Sequence, residues 1–190
     1  MATQVNTFEK SDATNTDKSS SIFFMWIGVN DMKLLFENHR NDTSERREIL
    51  VNDINSIKND LYKIKDSGAK YIVMMGLIPL QEVPMYYNTT YDATARDNLK
   101  QLVNSYNIKL KAITRKFASK HKQTNILFFD SYNQFYKMYD ADTIAKNNLM
   151  NCNKVVNCDN YIWWDNLHPS GMTHKKIATA VFDEISKSEW

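Results

Sequence analysis

The sequence predicts an α/β domain built on a parallel sheet. Three observations carry this. There are three short, nearly unbroken apolar runs, at residues 22–27, 71–78 and 125–130. Between them lie two long stretches whose apolar residues recur at steps of three and four. The two kinds of segment alternate along the chain. A strand covered on both faces reads as a continuous apolar run. A strand–helix–strand order asks for right-handed crossovers between parallel neighbours.

The first run, Ile22-Phe23-Phe24-Met25-Trp26-Ile27, has no polar residue and ends in Gly28-Val29-Asn30-Asp31. Polar side chains therefore follow the carboxyl end of a buried strand, the edge at which open α/β sheets bind ligands. Residues 45–66 read as a helix, with Leu50, Ile54, Ile57, Leu61 and Ile64 on one stripe. Ser67-Gly68 supplies its stop, because Gly68 can take the left-handed conformation. The second strand spans 71–78 and is closed by Pro79; a loop follows over 81–90. Residues 92–120 form a long helix with Leu99, Leu102, Tyr106, Leu110, Ile113 and Phe117 on one face. After the third strand, a short amphipathic helix places Tyr132, Phe135, Tyr136 and Tyr139 near the sheet. Residues 141–160 are expected to be loop, and 171–186 the last helix, capped by Ser170. Residues 1–20 are polar and read as a mobile lead-in, with 4–8 the tail of a helix; 21–190 form the domain proper. Three strands are few, since sheets average about five or six.

Composition excludes several classes. At 43% hydrophobic and 12% aromatic, this is a globular chain. A net charge of +2 and the lack of a basic cluster interleaved with aromatics give no reason to expect nucleic acid. No apolar run approaches the roughly 20 residues of a membrane span, and residues 1–21 hold no apolar signal-peptide core. Cys152 and Cys158 share one expected loop, as a bridge or as two thiols. The triplets Asn41-Asp42-Thr43 and Asn88-Thr89-Thr90 fit the glycosylation pattern, which is frequent by chance in an Asn-rich chain. No Asp/Glu/His/Cys group has ligand spacing, so no metal and no cofactor are expected; His39, His121 and His174 read as surface histidines.

Chemistry concentrates at Tyr161-Ile162-Trp163-Trp164-Asp165-Asn166-Leu167-His168-Pro169. An Asp three residues before a His can meet it only if the backbone turns between them. A carboxylate that accepts from Nδ1–H fixes the imidazole tautomer and leaves Nε2 as a base. Trp163 and Trp164 read as packing beneath that turn. Asn30, with two amide donors, suits a developing oxyanion; the bland alternative is a turn or cap residue.

Taken together, these blocks resemble the SGNH (GDSL-type) ester hydrolases. Phe23 to Asp31 is similar to their third block, and Trp163 to Ser170 to their fifth, with Ser170 where Thr is usual. Ser67-Gly68-Ala69-Lys70-Tyr71, Ile78-Pro79-Leu80 and the helix of Asn107 leading to Phe129-Asp130 also fit. The style is that of fungal acetylesterase-like or plant-type members. The resemblance implies a flavodoxin-like three-layer α/β/α sandwich, here with three of about five strands. It implies His168 as general base, Asp165 as its orienter, and Gly28 and Asn30 in the oxyanion region, all meeting at the carboxyl edge of the sheet. The substrates implied are small acyl esters, among them carbohydrate acetyl esters. A secreted full-length parent and a Cys152–Cys158 bridge are implied in the same way.

One departure is large. The family's Gly-Asp-Ser nucleophile block and its second, Gly-donating block have no counterpart in this sequence. Only Ser67 and Ser170 adjoin a Gly, and neither follows a buried strand in a tight Gly turn. No nucleophile is assigned, and the chain reads as the C-terminal part of such an enzyme. The alternative is an inactive remnant or partner module. In either case residues 22–27 would be an uncharged edge strand, so that the chain alone is expected to aggregate, to associate through this strand, or to need the missing segment in trans.

Overall fold

The computed structural model describes residues 2–11, 17–39, 43–87, 91–148 and 152–188. Asn41, Asp42 and the triplet at 88–90 lie outside them. The chain divides into two compact units, one of residues 1–76 with 105–129, the other of 77–104 with 130–189.

The first unit holds the sheet. Strands β1 (Ile22–Trp26), β2 (Tyr71–Met75) and β3 (Asn125–Phe129) are parallel, in the order β1-β2-β3. Ile22 is in register with Tyr71, and Tyr71 with Asn125. The α/β class and the three parallel strands agree with the sequence. β2 is buried almost throughout, as its apolar run demands. Among the described strands β1 pairs with β2 alone, and its Ile22 and Phe24, two residues apart and so on one face, are 41% and 55% exposed.

Helix α1 (Ala2–Glu9) is longer than the 4–8 expected. It buries Val5 and sets Phe8 edge-on to Phe23, ring centroids 5.6 Å apart. Helix α2 (Val29–Asn38) follows β1 at once, burying Met32, Leu35 and Phe36. Helix α3 (Thr43–Asp66) buries the whole expected stripe. It ends as the sequence requires: Gly68 has φ +106°, its N–H donates to the Lys65 carbonyl, and the Ala69 N–H donates back to Ile64. The long helix α5 (Ala93–Lys120) starts at Asp92, whose carboxylate accepts from the Ala95 N–H at 2.7 Å; its residues from 105 on belong to this unit. His121, expected on the surface, instead packs against Phe117 and Tyr62, with its Nε2 sealed from solvent.

The second unit is helical. Its loop after β2 contains a 3-10 turn (Leu80–Glu82) and the short helix α4 (Pro84–Tyr87). Helix α6 (Ser131–Met138), capped by Asp130, carries the expected aromatic row. Residues 141–160 are not all loop: Asp140 caps a further helix, α7 (Ala141–Asn147), and Cys152–Lys154 make a 3-10 turn. Helix α8 (Gly171–Lys187) is capped by Ser170, whose Oγ accepts from the Thr173 N–H. The core here centres on Trp163, stacked on Phe135 with centroids 5.6 Å apart. No helix of the described residues is long and apolar enough to cross a membrane.

Candidate functional site

The Asp–His segment is a closed turn. Trp163 and Pro169 form an antiparallel bridge. The Ser170 N–H donates to the Ile162 carbonyl at 2.8 Å, and the Trp164 N–H to the His168 carbonyl at 2.8 Å. Inside the turn, Asp165 Oδ1 accepts from the N–H groups of Leu167 and His168, both at 2.8 Å. The imidazole Nδ1 of His168 lies 2.8 Å from Oδ2 and 3.0 Å from Oδ1. An ionised carboxylate can only accept, so Nδ1 carries a proton, and in the neutral ring the lone pair is on Nε2. Burial pushes the Asp165 carboxyl up, but hydrogen bonds from His168 and Leu167 and the nearby imidazole outweigh it and hold the group below the usual carboxylate range. The side chain of His168 is 67% exposed and that of Asp165 33%. The imidazole therefore faces outward while the carboxylate is about two-thirds covered.

Buried polar side chains fix the turn. The Trp163 indole N–H donates to Asn148 Oδ1 at 2.8 Å, and the Ile162 N–H to Asn147 Oδ1 at 3.0 Å. The Thr173 hydroxyl donates to the Ile162 carbonyl at 2.9 Å and lies 2.8 Å from the Tyr139 hydroxyl. Ser170 Oγ donates to the Tyr161 carbonyl at 2.5 Å. On the other side, the Cys152 N–H donates to the Trp163 carbonyl and the Asn153 N–H to that of Trp164. Cys152 and Cys158 are joined in a disulfide, with Cα atoms 5.3 Å apart. Trp163 is thus the buried packing residue the sequence suggested, whereas Trp164 is 48% exposed. Asn147 and Asn148 were not singled out by sequence, because nothing local marks an amide whose partner lies 15 residues away.

Gly28 and Asn30 belong to the first unit. Gly28 is the N-cap of α2, with φ +113°, and is buried. A Cβ there would overlap the hydroxyl of Tyr106, which donates to the Ile27 carbonyl at 2.7 Å. Asn30 sits in the first turn of α2 and is exposed. Its placement directly after the carboxyl end of β1 puts it at a helix N-terminus, where backbone N–H groups lack intrahelical partners.

Family comparison decides what kind of protein carries this turn. The sequence profile of the GDSL-like lipase/acylhydrolases matches residues 1–181. The chain belongs to the GDSL-like lipase/acylhydrolase family. Among its relatives, the inactive GDSL esterase/lipase-like protein 23 of Arabidopsis thaliana is 30% identical over 114 residues, covering 56% of this chain and 29% of the relative. Two GDSL esterase/lipases of the same plant are each 22% identical. One match covers 83% of this chain and 48% of the relative, the other 95% and 58%. The chain therefore spans between about a third and three-fifths of the length of these GDSL relatives.

Within this GDSL chain, the serine hydroxyls that adjoin a Gly or directly precede β1 are already committed. Ser170 is fully buried as a helix cap. Ser67 Oγ donates to the Ile64 carbonyl. The hydroxyls of Ser19, Ser20 and Ser21 all bond Asp17. Among the described residues no group of three or more His, Cys, Asp or Glu side chains could hold a metal ion.

Proposed function

We propose that this chain carries the base-and-orienter half of an SGNH ester hydrolase acting on small acyl esters, carbohydrate acetyl esters among them. The observation that supports it is the 2.8 Å approach of Asp165 Oδ2 to His168 Nδ1. In this reading, Nε2 of His168 takes the proton of an attacking serine and returns it to the leaving alcohol. Asp165 stabilises the imidazolium formed between the two steps. Asn30, with neighbouring N–H groups, binds the oxyanion. No serine of the sequence occupies a nucleophile turn, so the attacking hydroxyl comes from a Gly-Asp-Ser segment other than these residues. The test is p-nitrophenyl acetate hydrolysis by the chain alone, by the chain with a family Gly-Asp-Ser segment added, and by His168→Ala in both settings. The expected outcome is His168-dependent product only with the added segment. A His168-dependent burst from the chain alone would refute the assignment of the nucleophile to another segment.

A second reading, that the chain is a partner module without chemistry of its own, is favoured by the outer edge of β1. Its place at the end of the strand order and its exposed Ile22 and Phe24 make an uncharged, Pro-free edge, which natural sheets avoid. Copies of the chain then associate through β1. Sedimentation at micromolar concentration should show concentration-dependent association that Phe24→Lys abolishes. A monomer at every concentration would rule this reading out.

A further inference from the structure

At the amino edge of β2 and β3, the two turns that lead into these strands border an open cavity of about 390 Å³. Its lining includes Lys65 and Lys70 from the α3–β2 turn and Lys120 and Lys122 from the α5–β3 turn. The one carboxylate in the lining, Asp66, pairs with Lys65 at 2.6 Å. Among the described residues, Lys70, Lys120 and Lys122 have no carboxylate partner. Four lysines against one aspartate put more positive charge here than the +2 of the whole chain.

A second recess, of about 230 Å³, runs between α3 and α5 and shares Lys120. It adds Lys58 and Lys116, again without a carboxylate in its lining. Helix dipoles explain part of the pattern: Lys65 and Lys120 stand in the last turns of α3 and α5, where a cation offsets the partial negative charge. They do not explain Lys70 and Lys122, which lie beyond the helix ends, or Lys58 and Lys116, which lie within the helices. Like charges gathered within a Debye length repel one another, and a bound anion relieves that repulsion.

We propose that the two recesses form one binding site for a polyphosphate-like oxyanion, with one anionic group in the Lys70–Lys122 cavity and the next along the Lys58–Lys116 recess. The shared chemistry is clustered, multiply charged anionic oxygen, which lysine ammoniums meet as point charges. This site uses none of the residues assigned to ester hydrolysis.

The test is calorimetric titration of the 190-residue chain at low salt with two probes, inorganic phosphate and tripolyphosphate. Tripolyphosphate should bind about tenfold or more tightly than phosphate, and more weakly as salt is raised. Lys70→Glu/Lys122→Glu should abolish both. Lys58→Glu/Lys116→Glu should weaken tripolyphosphate while leaving phosphate unchanged. The Gln versions of both pairs, together with thermal melts, separate loss of charge from loss of fold. No saturable binding of either probe would overturn the proposal, as would equal affinities that ignore both pairs of substitutions.

Discussion

Asp165 holds His168 twice: one carboxylate oxygen takes the histidine's backbone N–H, and the other faces its ring Nδ1, each at 2.8 Å. Backbone and side chain of the histidine are thus fixed by one group. In Asp165→Asn the amide oxygen can still accept from the backbone, which turns the amide NH2 toward the ring. Nδ1 must then become the acceptor and the proton must move to Nε2. Nitrogen NMR of the imidazole should report that change of tautomer. In an assembled enzyme the same substitution should lower kcat by about three to four powers of ten. An unchanged tautomer would mean that Asp165 does not orient the ring.

Gly28 should tolerate no side chain. Its φ of +113° strains any L-residue, and a Cβ would overlap Tyr106. Gly28→Ala should cost roughly 2–5 kcal/mol, from backbone strain and overpacking together. Urea unfolding measures this. Removing the hydroxyl in Gly28→Ala/Tyr106→Phe should recover part of the loss, because the first overlap is with the oxygen. Additive losses would show that the contact does not matter.

Tyr106 predicts loss of stability in base. Burial first, then the charges of Asp31 and Asp53, raise its phenol well above the ordinary tyrosine value. A raised folded-state value means that the stabilisation is complete below the unfolded value of about 10 and is lost as pH climbs through and beyond it. Thermal melts between pH 9 and about 11.5 should fall more steeply for the parent than for Tyr106→Phe. Parallel slopes would refute the assignment. The Phe variant should also lose about 1–3 kcal/mol near neutrality, since the Ile27 carbonyl forfeits its donor.

The disulfide predicts a measurable local tether. Cys152→Ser/Cys158→Ser should lower stability by about 2 kcal/mol, the scale expected for so short a loop. The Cys152 N–H anchors the Trp163 carbonyl, so the His168 imidazole signal should broaden in the variant. An unaltered urea midpoint and line width would show the bridge to be dispensable to the turn.

What the sequence made legible was local. The three strands, the stripe of α3 and the αL stop at Gly68 follow from periodicity and from one glycine. The Asp165–His168 pair was readable because three residues and a turn suffice to join them. Helix α2 was missed because Gly28 to Asp31 reads as a loop, although Met32, Leu35 and Phe36 keep helical spacing. Helix α7 is too short to show a period: of its seven residues only Ile144 and Asn147 are buried. His121 packs on Phe117, four residues earlier, so that contact was visible in principle. The fit of Tyr106 against Gly28 joins residues 78 apart and left no mark on either segment.

The hydrogen bonds described beneath the catalytic-looking turn join neutral groups. Amides of Asn147 and Asn148, hydroxyls of Ser170 and Thr173, an indole N–H and main-chain groups make every bond described there. Neutral bonds of this kind respond little to ionic strength and do not change state across physiological pH. Within the turn itself, ionisation is confined to the Asp165–His168 pair. His174, three residues into α8 from Gly171, is the histidine that senses it: partial burial and then the charge of His168 hold its protonation down. A proton arriving at Nε2 therefore meets neutral hydrogen bonds beneath the turn, and its charge is felt by His174 on the following helix. Acid or salt therefore acts on this turn through Asp165 and His168, and not through the neutral bonds beneath it.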